Sequence, residues 1–211
     1  MKLSSKTFRN GGVIPGRCAF AVKAPVGHLR LSQNLNPELH WREVPEGARS
    51  LVLLCIDGDA PSPRPQGVNT AGVVLGPGLP RGSFVHWAMV DIPVAVRSIA
   101  EGACSSGITA RGKRQPAGPE GSRQGINDYS GWFKGDKDME GPYFGYDGPC
   151  PPWNDSLPHH YRFELHALDL ERCPVDGEFT AAQVQQAIAG HTLASAALSG
   201  RYALNPLIRL R

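Results

Sequence analysis

Residues 50–56 read Ser-Leu-Val-Leu-Leu-Cys-Ile and run directly into Asp57-Gly58-Asp59-Ala60-Pro61. A continuous apolar run of this length, closed by an acidic turn, reads as a strand buried on both faces. Two more segments support it. Ser83 to Ile92 (SFVHWAMVDI) is a second strong strand, limited by Pro93, whose nitrogen cannot donate to a ladder. Tyr161 to Leu168 (YRFELHAL) alternates apolar with polar and reads as a third. Three such strands separated by long irregular stretches predict a mostly β protein.

Outward from these strands the signals weaken. Asn10-Gly11-Gly12, Pro15-Gly16 and Pro45-Glu46-Gly47 are turn signals. Residues 18–23 and 28–32 are weak strand candidates between them. Residues 61–82 and 102–150 are rich in glycine and proline, and loops of that length are usually functional or mobile. Near the end, Thr180 followed by Gln183 forms a capping-box pattern. Val184, Ala187 and Ile188, then Ala194, Ala197 and Leu198, have helical spacing, with Gly190 dividing the helix in two. A last short strand is expected over 202–208, interrupted by Pro206. No internal boundary is evident, so a single domain over 1–211 is expected.

Composition narrows the function classes. The 211 residues include 25 Gly and 19 Pro, too many for a long-helix or coiled-coil protein. Net charge is +3, with the charges mixed along the chain. The densest basic stretch, Arg111 to Arg114, is short and reads as a solvated loop, so no nucleic-acid partner is expected. No apolar run reaches signal-peptide or membrane-span length, and no integral membrane association is expected. The five cysteines form no CxxC pair, which suggests reduced thiols and a cytoplasmic location. Cys55 reads as a buried hydrophobe, and Cys150, between prolines, as potentially exposed.

Three polar clusters sit at the strand ends. Asp57 and Asp59 would point the same way on an extended chain, as a pocket wall or as aspartates capping their own turn. His86 and Trp87 fall on opposite faces by strand alternation, with the tryptophan toward the core and the histidine either structural or titrating. Gly148-Pro149-Cys150-Pro151-Pro152 is a stiff connector or a pocket edge. His159 and Tyr161 share one strand face, and His160 points away.

Each cluster is weak alone, but together and in this order they resemble the phosphatidylethanolamine-binding protein family, in its bacterial Raf-kinase-inhibitor-like branch. The family's acid-Pro-acid-Ala-Pro motif, histidine strand, Gly-x-x-Pro-Pro and His-Arg-Tyr correspond to Asp57 to Pro61, Val85-His86-Trp87, Gly148 to Pro152 and His159-His160-Tyr161. Pro37 to Trp41 and Pro45 to Gly47 also resemble the family's approach to its first motif. The resemblance spans roughly residues 35–170. Gly58 departs from the usual proline and His160 from arginine, and the loops 62–82 and 105–145 look longer than in compact members.

The resemblance implies two antiparallel sheets with Greek-key connections, short helices and a small pocket for anions such as phosphate groups. Carried over, the lining is Asp57, His86, His159 and Tyr161, with Pro151 and Pro152 on the rim. Asp59 is counted with these ligand-binding candidates, or else supports the turn. The histidines would donate N–H bonds to phosphate oxygens and Tyr161 an O–H bond. Asp57 would orient a histidine and raise its pKa, or pair with the ammonium of a phosphoethanolamine headgroup. The sequence therefore reads as a small-ligand binding protein with no cofactor, acting through an anionic or phosphorylated small molecule or through a protein partner. A homodimer is expected, since edge strands need cover. No Gly-x-Ser-x-Gly elbow or P-loop marks it as an enzyme. The alternative is a metal-assisted or acid/base hydrolase built on Asp57, Asp59, His86 and His159, and a third reading is a vestigial pocket on a protein that acts through its surface.

Overall fold

A computed structural model describes residues 1–210; Arg211, the last residue of the expected domain, lies outside them. The described residues form a 3-10 turn at Gly16–Cys18, eleven strands and two short α-helices. These are β1 (Lys2–Ser4), β2 (Gly12–Val13), β3 (Ala21–Lys23), β4 (Leu29–Leu31), β5 (Leu39–Arg42), β6 (Ser50–Pro61), β7 (Arg81–Ile92), β8 (Ser98–Ile99), β9 (Arg123–Gln124), α1 (Tyr129–Trp132), β10 (His159–Leu168), α2 (Ala181–Ala187) and β11 (Thr192–Tyr202). The three strong strands of the sequence are β6, β7 and β10.

The main sheet has the order β2-β11-β10-β6-β7-β9. Within it, β6, β7 and β9 run side by side, and β10 returns to lie against β6, which is the Greek-key arrangement. The expectation of two antiparallel sheets needs two corrections. The described residues form three sheets, because β3 and β4 make a two-stranded ribbon separate from the three-stranded sheet β1-β5-β8. In addition, β2 joins β11 in parallel.

The apolar run at 50–56 is buried on both faces, as its composition requires. Leu51, Leu53 and Cys55 face a core shared with Leu39 and Trp41 of β5, Ile99 of β8, and Phe163 and Leu165 of β10. Val52 and Leu54 face the other way, against Val184 and Ile188 near α2. α2 has only seven residues, too few to be stable alone. The Thr180–Gln183 capping box and its buried Ala181 and Val184 hold it.

The second expected helical piece, over Ala194, Ala197 and Leu198, is instead strand β11. The small side chains permit either period, and pairing with β10 from Tyr202 opposite His159 onward decides the outcome. The strand expected at 202–208 stops at Tyr202, and turn and irregular backbone follow it.

Strand alternation also fails at one informative place. Cys55 pairs with Trp87 and Ile56 with Val85, which leaves His86 as an extra residue in β7. A bulge of this kind bends the strand and re-aims a side chain. His86 and Trp87 therefore do not fall on opposite faces. Trp87 packs in the core with Tyr161, and the His86 ring lies 5.0 Å from the Tyr161 ring.

Gly148 marks a second constraint. A Cβ there would sit 2.1 Å from the Cys18 carbonyl oxygen, so the backbone of 148–150 can approach residues 18–20 only with glycine at this position. Gly148→Ala should lower stability by about 1–3 kcal/mol, the usual cost of overpacking, measured by urea denaturation. Gly58→Ala serves as the control, because a Cβ there meets nothing within 4 Å.

Candidate functional site

One end of the main sheet opens into a cavity of about 330 Å³. Asp57 reaches it from β6, Phe84 and His86 from β7, and His159 and Tyr161 from β10. Tyr129 and Trp132 of α1 form one wall, and Cys150, Pro151 and Pro152 another. Six of the seven residues picked out by sequence thus meet: Asp57, His86, Pro151, Pro152, His159 and Tyr161.

Asp59 is not among them. The ladder is irregular between Asp57 and Ala60, so the two acids do not point the same way. Asp59 Oδ2 accepts from the His160 backbone N–H and lies 2.8 Å from His160 Nδ1, on the exposed side. Asp57 turns inward and also does what a turn aspartate does. Its Oδ1 accepts the Asp59 N–H at 2.8 Å.

The inner face holds a chain of charges. His159 Nδ1 lies 2.6 Å from Asp57 Oδ2, and His159 Nε2 lies 3.2 Å from Asp155 Oδ2. The Arg81 guanidinium grips Asp155 with two nitrogens, at 2.5 and 3.1 Å. Burial by itself would lower the His159 pKa, but the bonds to Asp155 and Asp57 outweigh it and raise the pKa to about 9. Burial works against ionised Asp155, yet the bonds from His159 and Arg81 bring its pKa down to about 2. At neutral pH His159 is therefore an imidazolium with both N–H groups donated to carboxylates. Asp57 orients a histidine as expected, but that histidine has no N–H left for a ligand.

His86 is arranged differently. Its Nδ1 lies 2.7 Å from the Asp147 carbonyl oxygen, which can only accept, so Nδ1 carries the proton. The Asp147 backbone N–H returns a bond to the His86 carbonyl at 3.1 Å. The Asp147 carboxylate is itself buried and held by Asn34, Asn127 and Lys113. Burial lowers the His86 pKa, with Asp57 opposing the shift. The imidazole is thus neutral, and Nε2 is left on the cavity side with an open lone pair. Close by, the Tyr161 hydroxyl is buried without a hydrogen-bond partner. Burial pushes its pKa well up, so it remains a donor.

The hydrolase alternative required Asp57, Asp59, His86 and His159 to converge. Asp59 lies outside the cavity and both His159 nitrogens are committed. No three His, Cys, Asp or Glu side chains among the described residues are grouped to hold a metal ion.

Sequence reasoning missed Asp155, Phe84, Tyr129 and Trp132. Asp155 stands four residues before His159, a spacing uninformative on an irregular segment. The aromatic residues of Tyr129-Ser-Gly-Trp-Phe133 were a signal, an apolar cluster inside a glycine-rich loop. Cys150, whose place between prolines left exposure open, is half-buried on the cavity wall.

The chain is thus a Greek-key β fold with a small cavity, walled largely by aromatic rings and prolines, at the end of its main sheet. The chain belongs to the phosphatidylethanolamine-binding protein family, whose model matches residues 4–203. It is 31% identical over 202 residues to the protein YbhB of Escherichia coli, covering 96% of this chain and 99% of that one. It is 29% identical over 204 residues to a relative from Aquifex aeolicus, covering 96% and 88%. Among solved structures, E. coli YbcL, described as a new member of the mammalian PEBP family, aligns over 96% of this chain and 97% of its own, with a TM-score of 0.67 and 26% identity. The PEBP homolog CT736 of Chlamydia trachomatis gives a TM-score of 0.63 at 26% identity, over 95% of each chain.

The charge chain predicts a pH dependence. Folded His159 keeps its proton up to about pH 9, whereas an unfolded histidine loses it near the ordinary 6.5. Its contribution is full below about 6.5 and is lost as pH rises through 9, a change on the order of 3 kcal/mol. Denaturation midpoints should fall over this range, and His159→Gln should flatten the slope.

Proposed function

We propose that the cavity binds a small anionic group, of the phosphate or sulfate type, through the Tyr161 hydroxyl and His86 Nε2. The observation that carries this reading is the unpartnered, buried hydroxyl of Tyr161, a residue that lines the cavity. Leaving a buried donor unsatisfied costs about 1–3 kcal/mol, and a ligand acceptor would relieve that cost. His86 adds a second donor once it is protonated. Its Nδ1–H stays on the Asp147 carbonyl, so an incoming proton has only Nε2 to occupy. An anion on that side favours the imidazolium, and a charge-assisted bond replaces an open lone pair. Anion and proton uptake are therefore linked.

The His159 imidazolium plays the structural part. It neutralises Asp57 and Asp155, which would otherwise repel an anion at the floor. The five free cysteines support a reducing, cytoplasmic setting for this function. Self-association has a suitable edge in β11. On its outer side β2 pairs only with Gly200 and Arg201, and among the described residues no strand covers 192–198. A second copy pairing there would give the homodimer, with the chain acting as one unit in each protomer.

The test is isothermal titration with sulfate, which keeps its charge from pH 5.5 to 8.5. Affinity should rise as pH falls, and His86→Ala should remove the pH dependence. Tyr161→Phe should weaken sulfate about tenfold, since hydrogen bonds to charged groups are worth about 1.5–3 kcal/mol. The same variant should leave the free protein as stable as the parent or more so. Sulfate affinity that is flat with pH and indifferent to both substitutions would sink the reading.

A further inference from the structure

The cavity is larger than its floor needs. Its volume of about 330 Å³ falls in the range of pockets that hold small organic molecules, about 300–1,000 Å³, whereas a phosphate has five heavy atoms. The rest of the wall is a ladder of rings. From Tyr161 the ring centroids step 5.0 Å to His86, 5.0 Å on to Phe84, and 6.3 Å on to Trp132. Exposure rises along the same path: Tyr161 and His86 are buried, Phe84 and Trp132 half-buried. The ladder therefore runs from floor to mouth.

At the mouth, the Arg64 guanidinium lies over the Trp132 ring, 3.9 Å from its centroid. Arg64 comes from the long loop after β6 and Trp132 from the helix α1, and both line the cavity. Stacking uses the face of a guanidinium and leaves its N–H donors free in the plane. Among the described residues Arg64 has no carboxylate or carbonyl partner for those donors. The tryptophan thus fixes a cation in place without occupying its fork. Asp128 also lines the cavity, but its Oδ2 already accepts the Val85 N–H at 2.7 Å.

We propose that Arg64, held by Trp132, selects the ligand of this cavity, and that the ligand is a flat apolar phosphate or sulfate bearing a second anionic group. The first anion sits at the Tyr161 and His86 floor, the body lies along the rings, and the second anion meets the Arg64 fork. The inference rests on the anion floor proposed above.

The experiment is calorimetric titration of the full chain, at low salt, with five probes: inorganic phosphate, phenyl phosphate, 4-carboxyphenyl phosphate, phosphoethanolamine and 4-methylbenzoate. The added carboxylate should tighten binding about three- to fivefold over phenyl phosphate in the parent protein, the scale of one ion pair at the exposed Arg64 guanidinium. In Arg64→Gln the ratio between these two ligands should collapse to near one. Trp132→Leu should weaken both aryl phosphates more than inorganic phosphate. Equal affinities for the two aryl phosphates in the parent, or an unchanged ratio in Arg64→Gln, would overturn the proposal. Phosphoethanolamine binding more tightly than 4-carboxyphenyl phosphate would also overturn it and make Asp128 the selecting group. Binding of 4-methylbenzoate that needs Arg64, with no phosphate bound, would remove the floor and keep the mouth. No binding by any probe would remove both.

Discussion

A single imidazolium held between two buried carboxylates organises one end of this protein. His159 joins Asp57 of β6 to Asp155 of the preceding irregular segment, and Arg81 of β7 closes the chain on Asp155. Three elements distant in sequence are fixed together by one run of alternating charge. Such a cluster is costly to dehydrate and more costly to break, since removing one member strands another in a low-dielectric interior.

The same arrangement divides the polar residues into two kinds. His159 and Asp57 have their hydrogen-bonding capacity met inside the protein. His86 and Tyr161 do not. The bulge in β7 turns His86 toward Tyr161, and the Asp147 carbonyl fixes which of its nitrogens carries the proton. Asp147 is in turn locked by two asparagines and a lysine. The neutral ring is thus held firmly while one nitrogen remains open, the condition the proposed anion binding requires. The two histidines look equivalent in the sequence, yet their environments move their pKa values in opposite directions.

The long loops have a purpose on this reading. Residues of the loop after β6 and of α1 build the mouth, and the family motifs build the floor. The floor residues are those the family resemblance brought forward. The mouth residues carry no motif, and it is there that Arg64 and Trp132 meet.

The sequence by itself determined the three central strands, because a run of buried apolar residues and a clear alternation leave few other structures. It determined the capping box of α2 and the polar positions at the strand ends, because those signals lie within a few residues of each other. It did not determine β11, since the small residues of 192–199 satisfy either period and only pairing with β10 selects the strand. Nor did it determine the direction of His86 or Asp59. A one-residue bulge reverses a face, and a bulge is set by the register of a partner strand 22 to 32 residues away. Asp155, Phe84, Tyr129 and Trp132 became part of the site only through packing between segments that share no local pattern. Local chemistry wrote the strands and the candidate groups, and non-local register and packing decided which of those groups face the cavity with a hydrogen bond still to make.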